Sequence, residues 1–130
     1  MKIAVRYYSR SGNTKAVADA IAEAVGVQAI AADAPEAKLQ GPVDVLFIGG
    51  ALYAYGLDKN LKAYLDTLKK EDVKKAVVFS TSWISRHAID LIKNGVSAAQ
   101  IPVASETFYV KNTPTKKQLQ EAAAFAKKFS

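Results

Sequence analysis

Short apolar runs of strand length alternate along the chain with stretches whose apolar residues recur every three or four positions. Residues 2–8 form the first run. Residues 13–25 follow as an amphipathic helix, with Ala16, Val17, Ala20, Ile21, Ala24 and Val25 on one stripe and Gly26 placed to end it. A short second strand falls at 28–31. Residues 43–48 are apolar except for Asp44, the pattern of a parallel strand buried on both faces. A helix is predicted over 57–68, with Leu57, Leu61, Tyr64, Leu65 and Leu68 at helical spacing. A buried strand at 76–80 and a helix at 85–93, stopped by Asn94-Gly95, come next. The alternation at 103–110 reads as an edge strand. Thr113 is expected to cap a last helix with Pro114 at its first position; Leu119, Ala122, Ala123, Ala126 and Phe129 form its inward stripe.

Strands alternating with helices imply a parallel sheet covered on both faces. Five strands in one domain spanning 1–130 fit an α/β three-layer fold with strand order 2-1-3-4-5. The connection 32–42 holds Pro35, Gly41 and Pro42 and has little room for a helix, so the face of the first strand that it crosses should be thinly covered. That explains a charged Arg6 in a central strand. Its head is expected to reach water or to pair with Asp33 or Glu36.

In such sheets ligands sit beyond the carboxyl ends of the strands, where the strand order reverses. The first loop there is Ser9-Arg10-Ser11-Gly12-Asn13-Thr14, between a strand and a helix start. Free amides, a positive helix end and several hydroxyls make it a nest for phosphate. The second loop runs from Gly49-Gly50 through Ala51, Leu52, Tyr53, Ala54, Tyr55 and Gly56. The third is Ser80-Thr81-Ser82-Trp83. Tyr53, Tyr55 and Trp83 thus gather flat aromatic faces at one place. Gly49-Gly50 also reads as a strand end needing close backbone approach. Asp58 is expected to cap the helix after it, and His87 to lie at the surface or cap a helix.

Ser9-x-x-Gly12-x-Thr14, with Tyr7 before it and Ala18 and Ile21 after it, resembles the phosphate loop of flavodoxins; it departs from that family at Arg6, where an apolar or aromatic residue is usual. The resemblance implies FMN as cofactor, its terminal phosphate in residues 9–14. It implies Tyr55 over one face of the ring and Trp83 against the other face or the edge. It also implies that the peptide at Gly56 turns over on reduction, so that a carbonyl accepts a hydrogen bond from flavin N5; glycine suits this because it visits positive φ freely. The implied activity is electron transfer to a redox partner protein or a small-molecule acceptor.

Composition narrows the chemistry. Half of the 130 residues are apolar, enough for a packed core. With no Cys and one His, the chain offers no thiolate redox chemistry and no histidine metal cluster, and no catalytic residue or metal site is assigned. A redox role needs a borrowed group. No apolar run approaches a membrane span, and the chain opens directly on a strand, so no secretory leader and a cytoplasmic monomer are expected.

The net charge of +6 contrasts with the acidic carriers of the resembling family. Lys69-Lys70, Lys74-Lys75, Lys116-Lys117 and Lys127-Lys128 come as pairs, several of them near predicted helix ends that favour cations. No aromatic-interleaved basic stripe points to nucleic acid. A solvated basic face, an acidic partner and peripheral contact with an anionic membrane stay open. The cofactor loops hold Arg10 and no carboxylate, so a couple less negative than in acidic flavodoxins is expected.

A second reading is an FMN-dependent oxidoreductase acting on a quinone or nitro compound, or on protoporphyrinogen. Residues 51–59, Phe79-Ser80 and Ser85-Arg86 also resemble the flavodoxin-like menaquinone-dependent protoporphyrinogen dehydrogenases, although the chain lacks room for their long insertion. The acidic strand end of a receiver domain, the G-x-G-x-x-G of a dinucleotide site and the G-K-[ST] of a P-loop are all absent.

Overall fold

The structure, a computed structural model, describes residues 1–53, 56–82 and 85–130. β1 (Ile3–Tyr7), β2 (Ala29–Ala31), β3 (Val43–Gly50), β4 (Val73–Thr81) and β5 (Phe108–Val110) form one parallel sheet in the order β2-β1-β3-β4-β5. β3 and β4 lie inside the sheet, and most of their residues are buried because both faces are covered. The helices are α1 (Asn13–Val25), α2 (Lys59–Thr67), α3 (His87–Ala98) and α4 (Lys116–Lys127).

Side-chain alternation along the strands splits the core in two. Val5, Tyr7, Phe47, Val77 and Phe79 face α1 and α4, meeting Val17, Ile21, Ala122 and Phe125. Leu46, Ile48, Ala76 and Val78 face α2 and α3, meeting Leu61, Leu65, Ile89 and Ile92. Phe125, absent from the stripe expected for the last helix, packs against Phe129 at 5.3 Å between ring centres.

α1 has the bounds its periodicity predicts and ends on Gly26 at φ 77°. Other boundaries moved. α3 runs through Asn94-Gly95 to Ala98. Gly95 is a packing residue: a Cβ there would lie 2.9 Å from Leu65 Cδ1, so the glycine lets α3 approach α2. α4 starts later than expected. Its cap is Thr115, whose side chain accepts from Gln118 N while Gln118 Oε1 accepts from the Thr115 amide. A box of this kind needs Glu or Gln three residues on, and Thr113 has Lys116 there.

The connection from β2 to β3 forms only a 3₁₀ turn, Pro35–Ala37, in keeping with its prolines. The expected partners of Arg6 are not those found. Arg6 is buried, and its Nε and Nη1 donate to the carbonyls of Ala37 (2.7 Å) and Val5 (3.0 Å). Tyr64 Oη donates to the same Ala37 carbonyl at 2.7 Å. The 3₁₀ turn folds over the guanidinium and turns a carbonyl toward it, so neither Asp33 nor Glu36 is needed. Burial pushes the Tyr64 phenol up, and the Arg6 charge opposes that rise.

Candidate functional site

The site is built where the carboxyl ends of β1, β3 and β4 meet the starts of α1, α2 and α3. Gly12 is the N-cap of α1, at φ 94° and ψ −7°. This left-handed conformation suits glycine, and a Cβ there would meet nothing within 4 Å, so open space lies beside the helix start. Gly12 brings no capping side chain and α1 has no acid in its first turn, leaving the helix's positive end uncompensated. The Ser9 hydroxyl accepts from Gly12 N at 2.9 Å, and the Ser11 hydroxyl accepts from Asn13 N at 3.4 Å. These bonds hold the two serine hydroxyls against amides at the helix start.

Contacts distant in sequence join this loop to the other two. Thr14 is buried, and its hydroxyl shares a hydrogen bond of 2.6 Å with the Thr81 hydroxyl at the end of β4. Arg10 Nε and Nη2 donate to Asp58 Oδ2 at 3.0 and 2.5 Å. The Arg10 guanidinium also lies 4.0 Å from the centre of the Tyr53 ring. Tyr53 and Gly56 exchange backbone hydrogen bonds of 2.8 and 3.0 Å. Gly56 sits at φ 109°. Burial pushes the Tyr53 phenol up, and Arg10 partly offsets it.

Asp58 was expected only as a cap. It does cap α2, accepting from Asn60 N at 2.7 Å, but its buried carboxylate is also the counter-ion of Arg10. Burial alone would raise its pKa; the Asn60 amide and the Arg10 guanidinium outweigh that and hold it below the ordinary carboxylate value. The cation of the first loop therefore meets a carboxylate after all. The expectation of a less negative couple, which rested on an unopposed Arg10, loses its basis.

The remaining residues proposed from sequence divide clearly. Ala51 and Leu52 are half-buried, with Leu52 packed on the α2–α3 core. Ser80 is wholly buried, its hydroxyl without a hydrogen-bond partner among the described residues. Ser82 is buried too. Its amide donates to Val110 O at 3.1 Å and its carbonyl accepts from Tyr109 Oη, which ties the third loop to β5. Ala54, Tyr55 and Trp83 lie outside the described residues. Gly49 and Gly50 belong to β3: a Cβ at Gly49 would lie 2.3 Å from the Phe79 ring, and one at Gly50 would lie 2.4 Å from Leu61 Cδ2. Both are close-approach glycines. His87 is exposed on the first turn of α3, where its amide donates to Ser85 Oγ at 3.2 Å.

A sheet of order 2-1-3-4-5 with helices on both faces, and a glycine-capped helix start at its switch point, defines a doubly wound α/β protein of the flavodoxin-like order. The model of the flavodoxin domain matches residues 4–126, and the chain belongs to the flavodoxin family. The cofactor of that family is FMN.

Solved structures agree in fold. Oxidised flavodoxin 1 of Bacillus cereus superposes with a TM-score of 0.81 at 23% identity, over 99% of this chain and 97% of that one. A flavodoxin from the Archaea gives 0.74 at 24%, over 99% and 96%. Rubredoxin oxygen:oxidoreductase of Desulfovibrio gigas gives 0.82 at 15%, over 98% of this chain but 35% of that one. No curated protein sequence matches the chain.

The described residues fit FMN at its phosphate end. Hydroxyls and amides, a bare glycine cap and open space beside it suit a dianion. Among them, no helix is long and apolar enough to cross a membrane.

Proposed function

We propose that the chain is an FMN-binding electron carrier. The amides at the start of α1, with Ser9, Ser11, Asn13 and Thr14, receive the phosphate. Tyr53, Tyr55 and Trp83 flank the ring and keep water from it, and the backbone at Gly56 lies at its edge. Bound FMN supplies the electron transfer; the protein supplies anchoring, stacking and electrostatics. The observation that carries this reading is the Gly12-capped helix start, joined through Thr14–Thr81 and Arg10–Asp58 to both loops expected to hold the ring.

An enzyme acting on a bound substrate needs a positioned acid or base. Asp58, the buried carboxylate at the site, is committed to the Asn60 amide and to Arg10. The carrier is thus the better supported reading, and its partner is a redox protein or a small acceptor. The test is the absorption spectrum of the purified chain with added FMN, followed by an assay for steady NAD(P)H or quinone turnover. A flavin spectrum with single-equivalent electron exchange and no turnover is expected. Sustained turnover would make the chain an oxidoreductase.

A further inference from the structure

We propose that the sheet end surrounding the flavin site is a docking surface for an acidic redox protein. This rests on the carrier reading above, and it starts from where the excess charge lies. Lys59, Arg86, Lys111, Lys116 and Lys117 are exposed at the carboxyl end of the sheet, and none has a carboxylate within ion-pair distance among the described residues. The carboxylates near them are occupied or aside. Asp58 is buried against Arg10, and Asp19 pairs with Lys15 at 2.7 Å. Asp90 sits beside His87 at 3.8 Å, and Asp33 stands at the outer edge, past β2. At the opposite end cations and anions are interleaved, with Lys74 on Asp44 and Lys128 on Glu106. Arg10, Lys15, Lys59, Arg86, Lys111, Lys116 and Lys117 thus stand at this end against Asp19, Asp58 and Asp90, and the larger part of the net +6 lies around the site.

These positions oppose the fold's own electrostatics. Cations are favoured in the last turn of a helix and disfavoured in the first. Lys15, Lys59 and the pair Lys116-Lys117 lie in the first turns of α1, α2 and α4, and none of those turns holds an acid. In the last turns of the four α-helices the only basic residue among those described is Lys127. Two of the four lysine pairs do lie near helix C-termini as expected, Lys69-Lys70 just past α2 and Lys127-Lys128 at the end of α4, whereas Lys116-Lys117 opens α4. Local stability does not account for lysines at positive helix ends; attraction of an anionic surface does.

The cations also surround the region an electron must cross. Val110 accepts the Ser82 amide at 3.1 Å, so Lys111 follows directly beside the third loop. Lys116 shares a cleft with Ala16 and Asp19 of α1, next to the phosphate loop. Arg86 lies over the Tyr109 ring at 5.2 Å, and the Tyr109 hydroxyl holds the Ser82 carbonyl. An acidic protein seated on this rim brings its own redox group to the ring's exposed edge. Membrane adhesion combines cations with apolar anchors, and the vesicle arm of the experiment reads that alternative. The one exposed large apolar residue among those described is Met1, at the opposite end, ahead of β1.

The experiment follows oxidation of the reduced, FMN-loaded protein by stopped flow. Ferricyanide, an anion, accepts one electron and becomes ferrocyanide; tris(phenanthroline)cobalt(III), a cation, accepts one and becomes cobalt(II). Between low salt and 300 mM salt the ferricyanide rate should fall about tenfold and the cobalt rate should rise. The triple variant K111E/K116E/K117E, read at saturating FMN so that cofactor affinity does not enter the rates, should reverse both trends. A second arm measures binding of poly-L-glutamate to the chain as purified, with and without flavin. Salt-sensitive binding that the triple variant loses supports the docking surface even if FMN fails to load, so the two readings fail separately. Salt trends identical for both oxidants, or unaltered by the triple variant, overturn the proposal. So does stable cosedimentation with phosphatidylserine vesicles at 150 mM salt, which would assign the face to lipid.

Discussion

Asp58→Ala removes two supports with one substitution: the cap of α2 and the counter-ion of Arg10. Loss of an aspartate N-cap costs about 1 kcal/mol. The ion pair adds less than its short distance suggests, because the Arg10 side chain is 45% exposed and water replaces much of what is lost; about 0.5 kcal/mol is a fair value. The sum, about 1.5 kcal/mol, lowers Tm by about 6 °C in a chain of this size. Asp58→Asn separates the terms, since asparagine caps as well as aspartate and only the charge goes, at about 0.5 kcal/mol. Urea unfolding reads both as shifts in midpoint at constant slope.

The pH dependence gives a further check on the same pair of variants. The folded Asp58 carboxyl sits below its ordinary value of 3.8, so its stabilisation is complete above that value and fades as pH falls through the folded pKa. The gap between wild type and Asp58→Asn should be constant at neutral pH and close only in strong acid. A cost for Asp58→Asn equal to that of Asp58→Ala would refute the division into cap and charge. A cost below about 0.5 kcal/mol for the alanine variant would refute the cap itself.

Gly49→Ala forces a methyl to within 2.3 Å of the Phe79 ring, which is wholly buried; a loss of about 2 kcal/mol is expected by thermal unfolding. Arg6→Met should stay within about 1 kcal/mol of wild type, because a buried guanidinium is costly to desolvate and Ala37 O keeps its bond from Tyr64. Thr14→Val strands the buried Thr81 hydroxyl, costing about 1–2 kcal/mol and weakening FMN binding. Adding Thr81→Val should then cost less than the sum of the single changes, as chemical denaturation of the double variant will read.

Much of the architecture can be read from the chain because it follows from local periodicity. The stripe from Ala16 to Val25, closed by Gly26, specifies α1 without tertiary help, and the apolar run ending in Gly49-Gly50 specifies the central strand. The misread places are those where a residue serves a distant neighbour. Gly95 looks like a helix stop but makes room for Leu65. Thr113-Pro114 looks like a helix start, yet Gln118 selects Thr115. Arg6 takes the Ala37 carbonyl from a turn some thirty residues away, a choice no charge pattern reveals. At the site, the phosphate loop is legible because it is one continuous segment. The Arg10–Asp58 pair spans 48 residues and forms only when two loops fold onto each other. A cap signal two residues after a glycine loop was its sole trace in the sequence.

The central claim is that the turn after β1 grips a phosphate, and comparing two ligands tests it most directly. Titrating the flavin-free chain with FMN and with riboflavin, followed by the fluorescence of its single tryptophan, isolates the phosphate contribution. Two charge-assisted hydrogen bonds are together worth about 3 kcal/mol, so FMN should bind one to one and at least about a hundredfold tighter than riboflavin. Equal affinity for the two, or no response to FMN at saturation, would contradict the account.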